Sequence, residues 1–124
     1  MKPSLDEEIV VLAIADRALR SIWSARLGLA GEIMMIVDNF DDAALDAGMR
    51  ESATLITDTG APRLPPSERV VAIRQRGWCN GVILFVCKPH PDIDDPRCAI
   101  VLRDSETERV VALLKRWRAQ MVSV

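Results

Sequence analysis

The hydrophobic residues of this chain fall into short continuous runs, and the runs alternate with segments of helical periodicity. Runs of β-branched and other apolar residues that end at polar residues are typical of strands buried on both faces of a sheet. Five runs fit this description, and they span residues 9–15, 33–37, 52–57, 82–86 and 99–102. The pattern therefore predicts five strands, each followed by a polar position.

Between these runs, apolar residues recur at intervals of three and four, as on one face of a helix. Helices are predicted over residues 17–30, over a short stretch at 43–49 capped by Asp41 or Asp42, over 67–74, and after Ser105. Residues 88–98 contain three prolines, which disfavour a proper helix, so the fourth crossover is predicted to have a short helix or none.

Strand and helix alternate about five times along the chain, which indicates an α/β fold with an open, doubly wound, five-stranded parallel sheet. With 124 residues and no linker or repeat, residues 1–124 are predicted to form one domain. A flavodoxin-like strand order of 2-1-3-4-5 would place the ends of the first and third strands side by side. An antiparallel fifth strand is the less favoured alternative.

Composition narrows the classes of partner. The net charge is −2, so there is no basic excess to bind nucleic acid or an anionic membrane. No apolar run approaches the length that spans a bilayer. The cysteines are three in number and no apolar signal sequence begins the chain, which is typical of a reduced cytoplasmic setting.

Polar side chains follow each predicted strand at the carboxyl edge of the sheet, where ligands bind in such folds. They are Asp16, Asp38, Asp58, the pair Cys87 and Lys88, and Arg103. Two carboxylates on neighbouring strands repel unless a cation lies between them, and Mg²⁺ suits such a site. A carboxylate such as that of Asp58 can also act as a nucleophile toward phosphorus. The simpler alternative is that each acid is only a solvated strand-end residue.

Three short segments stand at the ends of the first, third and fifth predicted strands. They are Ile14-Ala15-Asp16, Leu55-Ile56-Thr57-Asp58 and Val101-Leu102-Arg103-Asp104-Ser105. In its element order and at these segments the chain resembles the receiver domain of response regulators, the phosphoacceptor module of two-component signalling. The resemblance implies that Asp58 is the phosphoacceptor and that Asp16, with Asp58, is a ligand of Mg²⁺. It also implies a histidine kinase or a phosphotransfer protein as partner, and a role in signalling rather than an enzyme activity.

The chain departs from that family where phosphoryl chemistry is assisted. Ala15 stands in place of one acid of the metal-binding pair, and Arg103 replaces the family's lysine. Val86 or Cys87 falls where the family has a hydroxyl side chain, although Lys88 could supply charge. These departures predict an atypical receiver with weakened phosphorylation.

Two other functions remain open on the sequence. The first is a pseudo-receiver that acts without phosphate as a dimerisation or protein-interaction module, with Trp117 and Met121 of the last helix as a candidate interface. The second is a small-molecule-binding domain that uses the crevice at the strand ends.

Overall fold

Five parallel strands form one sheet in the order β2-β1-β3-β4-β5. The structure is a computed structural model that describes residues 9–59 and 64–122, the last two of these by their backbone only. The strands are β1 (Ile9–Ala13), β2 (Ile33–Val37), β3 (Thr54–Thr57), β4 (Val82–Val86) and β5 (Cys98–Leu102). The predicted fold class and strand order are confirmed, and the fifth strand is parallel rather than antiparallel.

The described part of the chain contains four helices. They are α1 (Arg17–Leu29), α2 (Ala47–Ser52), α3 (Pro66–Gln75) and α4 (Thr107–Val122). As predicted, residues 87–97 between β4 and β5 contain no helix. Across the described residues, no helix has the length and apolar character needed to span a bilayer.

Local sequence signals explain where most helices begin and end. Asp16 caps α1 by accepting a hydrogen bond from the Leu19 N–H at 3.1 Å. Gly31 and Gly77 follow α1 and α3 with φ of 88° and 96°, a conformation that favours glycine and ends a helix. The predicted start of α2 was wrong, because its cap is Asp46, which accepts from a backbone N–H at 2.8 Å.

Alternate strand residues bury their side chains against opposite layers. On one face, α1 and α4 cover the sheet, and Trp23 of α1 stacks on Phe85 of β4 with ring centroids 4.7 Å apart. On the other face, Ile73 of α3 and the loop residues Phe40 and Trp78 cover β1 and β3. The sheet is therefore covered on both sides, which suits its continuous apolar strands.

The helix-free connection between β4 and β5 is fixed by Arg74 of α3. Its guanidinium donates to both carboxylate oxygens of Asp95, at 3.0 and 3.2 Å, and to the backbone carbonyls of Trp78, Asn80 and Arg97. Burial raises the pKa of Asp95, but the hydrogen bonds from Arg74 and from the Arg97 N–H outweigh burial and hold that pKa below its usual value. Arg74 therefore joins α3, the turn before β4 and the connection that precedes β5.

Trp117 belongs to the core and not to an interface. Its side chain is 2% exposed and packs in the cluster formed by α1, α4 and the sheet. A Cβ atom added at Gly81 would clash with Trp117 Cε3 and would lie 2.6 Å from Cζ3, so the ring fits only against a glycine. The prediction of Trp117 as an interface residue was wrong, and the side chain of Met121 lies outside the described residues.

Replacement of Arg74 by alanine is expected to lower the free energy of unfolding by about 3 kcal/mol, because the buried part of the Asp95 carboxylate and three backbone carbonyls lose their hydrogen-bond donor. Urea unfolding measures the loss. Arg76→Ala, at an exposed position just beyond the same helix, is the matched control and should change stability by less than about 0.5 kcal/mol. Equal effects of the two substitutions would contradict the role given to Arg74.

Gly81→Ala is expected to destabilise the protein by about 2 kcal/mol, because the buried Trp117 ring cannot move aside. The control is the same substitution at Gly28, an exposed helical site where the added Cβ meets only Met34 Cε at 3.6 Å. Gly28→Ala should stabilise the protein by about 0.5 kcal/mol through helix propensity. Thermal unfolding of the two variants checks the opposite signs.

Candidate functional site

The end of β3 is held against β1 by a buried hydroxyl. Thr57 is fully buried, and its Oγ1 donates to the backbone carbonyl of Ala13 at 2.6 Å. Since β1 and β3 are neighbours in register, this bond ties together the last residues of the two strands. Asp58, the next residue, is thereby placed beside the turn that leads from β1 into α1.

Asp58 is half-buried and contacts that turn directly. Its Oδ2 accepts a hydrogen bond from the backbone N–H of Asp16 at 3.2 Å. The backbone carbonyl of Asp58 accepts from Nε of Arg69, also at 3.2 Å. Asp58 is thus held from both sides, by the start of α1 and by the first turns of α3.

The carboxylate of Asp16 is already engaged through both oxygens. Oδ1 accepts from the Leu19 N–H at the start of α1, and Oδ2 accepts from Nη2 of Arg103 at 3.0 Å. The Leu19 N–H and then the Arg103 guanidinium lower the pKa of Asp16 below its usual value. Asp16 is therefore an ionised group paired with a cation from the same chain.

Arg103 reaches this position from the end of β5, although β3 and β4 lie between β5 and β1 in the sheet. Its backbone is fixed at both polar groups, because its N–H donates to the Val86 carbonyl at 3.0 Å and its carbonyl accepts from the Trp23 indole at 3.2 Å. The second nitrogen of the guanidinium, Nη1, lies 3.7 Å from Sγ of Cys87. The contact with the Cys87 thiol, followed by that with Asp16, raises the pKa of Arg103.

The other strand-end residues lie apart from this cluster. Asp38 is 89% exposed on its side chain and pairs with Arg20 at 2.6 Å. Lys88 is exposed and makes no hydrogen bond or ion pair with any residue in the described part of the chain. It borders a cavity of about 410 Å³ together with Thr59 and His90. The residues brought together are therefore Asp58, Asp16, Arg103 and Cys87.

Arg69 is a site residue that the sequence analysis missed. Its guanidinium lies 4.5 Å from the centre of the Phe40 ring, and burial lowers its pKa while the carboxylates of Asp58 and Asp41 act to raise it. A position in the first turns of the helix after β3 is the signal that could have found it, because such helices begin at the carboxyl edge of the sheet.

The donor set at this edge does not fit a Mg²⁺ site well. Magnesium is usually held in octahedral geometry by one or two carboxylates together with several waters, and within residues 9–59 and 64–122 no larger group of three or more His, Cys, Asp or Glu residues is placed to hold a metal. Ala15 offers no ligand, and the Asp16 oxygens are taken by the helix and by Arg103. The guanidinium of Arg103 thus neutralises Asp16, as a bound metal ion would otherwise do.

Comparisons with known proteins identify the fold. No protein-family model matches the chain, and no curated protein matches it. Among solved structures, the chemotaxis protein CheY4 of Vibrio cholerae superposes with a TM-score of 0.64 at 16% sequence identity, over 88% of this chain and 97% of CheY4. A fusion protein that carries the trimeric coiled coil of yeast Spc42 superposes with a TM-score of 0.65 at 10% identity, over 94% of this chain and 84% of the other. At these identities the likeness concerns the fold alone: the chain has a CheY-like, flavodoxin-like fold.

Proposed function

We propose that this chain is a receiver-like signalling domain that acts through contact with other proteins and whose phosphoryl chemistry at Asp58 is weakened. The observation that carries the proposal is the ion pair between Arg103 and Asp16, which lies directly beside Asp58. The CheY-like fold and the place of Asp58 at the end of the central strand support the receiver assignment.

The charges near Asp58 support the weakening. Transfer of a phosphoryl group to a carboxylate concentrates negative charge, which preorganised cations must stabilise. Here the guanidinium of Arg103 is already shared between Asp16 and the thiol of Cys87. The guanidinium of Arg69 donates to the backbone carbonyl of Asp58. Val86, at the end of β4, is buried and has no hydroxyl that could bind a phosphoryl oxygen.

In this proposal a histidine kinase or a phosphotransfer protein donates the phosphoryl group to Asp58. A pseudo-receiver is the extreme form of the proposal, in which Asp58 is not phosphorylated at all. If the guanidinium holds the strand ends in one arrangement without phosphate, the domain can bind a partner whether or not Asp58 is modified. The same ion pair therefore supports weak phosphorylation and a contact-based output.

Treatment with acetyl phosphate and Mg²⁺, followed by intact-mass measurement, tests the chemistry. The natural sequence is expected to gain a phosphoryl group at least about tenfold more slowly than the double variant Ala15→Asp/Arg103→Lys, which restores an acid and frees Asp16. Asp58→Asn added to the double variant should abolish labelling. Asp38→Asn, at another strand end, should not.

Equal labelling rates of the natural sequence and the double variant would show that the chemistry is not weakened. Absence of labelling in both would remove the support for Asp58 as a phosphoacceptor. Circular dichroism of each variant separates these outcomes from loss of folding.

Tryptophan fluorescence provides an independent test of metal binding, because the Trp23 indole donates to the carbonyl of Arg103. The natural sequence is expected to show no saturable change up to about 10 mM Mg²⁺, since Arg103 neutralises Asp16. Ala15→Asp/Arg103→Lys should show a saturable change that Trp23→Phe removes. A saturable response of the natural sequence would contradict the inference that the Arg103–Asp16 ion pair disfavours binding of Mg²⁺.

A further inference from the structure

A cleft of about 550 Å³ lies beside the outer edge of β5, where this strand, the helix-free connection and α4 meet. The apolar part of its lining comes from all three elements. Its lining includes Ile93, Cys98, Ala99, Arg109, Leu113 and Arg116. The cleft therefore combines an apolar surface, a strand edge and two arginines.

The backbone of β5 presents unused hydrogen-bonding groups toward this side. In the ladder with β4, the Val82 N–H donates to the Arg97 carbonyl and the Arg103 N–H donates to the Val86 carbonyl. In a parallel pair, alternate residues direct both polar groups to the same neighbour. Positions 97, 99, 101 and 103 therefore face β4, and Cys98, Ile100 and Leu102 direct their backbone groups outward.

Two of these outward groups are already satisfied at the two ends of the strand. The Cys98 N–H donates to the Asp95 carbonyl at 3.1 Å, and the Leu102 carbonyl accepts from the Ser105 N–H at 2.9 Å. Between them remain the Cys98 carbonyl, both polar groups of Ile100 and the Leu102 N–H. In the described part of the chain no hydrogen bond is formed by these four groups. These two carbonyls and two N–H groups can accept from and donate to the backbone of one short added strand.

The charge of the cleft favours an acidic occupant. Arg109 and Arg116 are seven residues apart, so they lie on one face of α4 about 10 Å apart along its axis. Both are exposed, and neither forms an ion pair with a residue that the structure describes. On the opposite wall Asp95 is neutralised by Arg74, which leaves Asp92 as the one uncompensated acid of the lining.

The β2 edge of the sheet differs in the residues that the structure describes. Two arginines there are paired with acids next to that strand, Arg20 with Asp38 and Arg118 with Glu32, both at 2.6 Å. By contrast, the two arginines that line the cleft at the β5 edge form no ion pair with a described residue.

We propose that β5 accepts an extended, acidic segment of a partner protein as a sixth strand, with its carboxylates facing Arg109 and Arg116. Strand addition of this kind obtains affinity from main-chain hydrogen bonds and specificity from alternate side chains. Side chains two or four residues apart along such a segment are separated by about 7 or 13 Å, a range that brackets the spacing of the two arginines. The alternate, apolar side chains of the segment would lie on the opposite face of the added strand, against Ile93.

Binding at the cleft does not depend on phosphorylation. The cleft lies at the outer edge of β5 and includes none of the residues of the Asp58 cluster. Asp58→Asn is therefore expected to leave binding at the cleft unchanged, so failure of the phosphoryl proposal and failure of this one are separate results.

Fluorescence anisotropy with a labelled synthetic hexapeptide of alternating glutamate and valine tests the proposal. The full chain is expected to bind this probe with a Kd below about 1 mM. The Arg109→Glu/Arg116→Glu variant should weaken binding at least about tenfold. Lys115→Glu, an exposed charge reversal on the same helix but outside the lining, is the matched control and should change the Kd less than about twofold.

Amide chemical shifts report whether the peptide adds as a strand. The N–H signals of Ile100 and Leu102 should shift and become protected from exchange, and a peptide with proline at its central positions should not bind, because it lacks the required N–H donors. Equal binding of a lysine-valine peptide, equal loss in Lys115→Glu, or no binding of the acidic peptide at about 1 mM would each overturn the proposal. So would a dimer, seen by sedimentation, that Arg109→Glu/Arg116→Glu dissociates, because the occupant would then be a second copy of this chain.

Discussion

A parallel sheet with apolar residues on both faces is stable only if both faces are covered, and this requirement organises the whole molecule. All residues of β3 and β4 are buried, so the layers above and below them must be complete. One layer is supplied by α1 and α4, with the Trp23–Phe85 stack at its centre. In the other layer, helices cover the sheet up to α3. Beyond α3 the proline-containing connection between β4 and β5 lies on the sheet in place of a helix. Arg74 replaces the missing helix as a support, because three of its five hydrogen bonds hold the connection in place and the other two fix the turn before β4.

The same requirement separates the two proposed functional regions. At the carboxyl edge, where the strands end, the polar groups must satisfy one another, and Arg103 crosses from the end of β5 to the acid that follows β1. At the β5 edge, the absence of a helix in residues 87–97 leaves an open cleft beside the strand. One region is thus internally neutralised and the other has unsatisfied charge and backbone groups. A signal carried by contact fits the second region better than the first.

Much of this fold could be predicted from the sequence, because continuous apolar runs bounded by polar residues leave little choice. The predicted limits of β2 and β4 agree residue for residue with the structure. The start of α2 was misplaced because three aspartates compete as caps and the helix, which buries no residue, has no periodic pattern to locate it. Trp117 was misassigned because a stripe of apolar residues on a helix does not reveal whether a glycine opposite makes room for the ring.

The residues of the candidate site could be predicted from the sequence, but the ion pair that they form could not. Strand-end positions identified Asp16, Asp58 and Arg103, yet only the folded geometry gives the guanidinium to Asp16 rather than to Asp58. Arg69 and Arg74 were not predicted, because most of their partners are backbone carbonyls. Every residue has such a carbonyl, so the sequence does not show which ones an arginine contacts.

A cation that belongs to a side chain differs from a dissolved ion in one respect that matters for regulation. Its local concentration is set by the covalent chain and does not follow the divalent-ion content of the surrounding solution. The countercharge at Asp16 is consequently part of the chain itself and is present at any concentration of divalent ions.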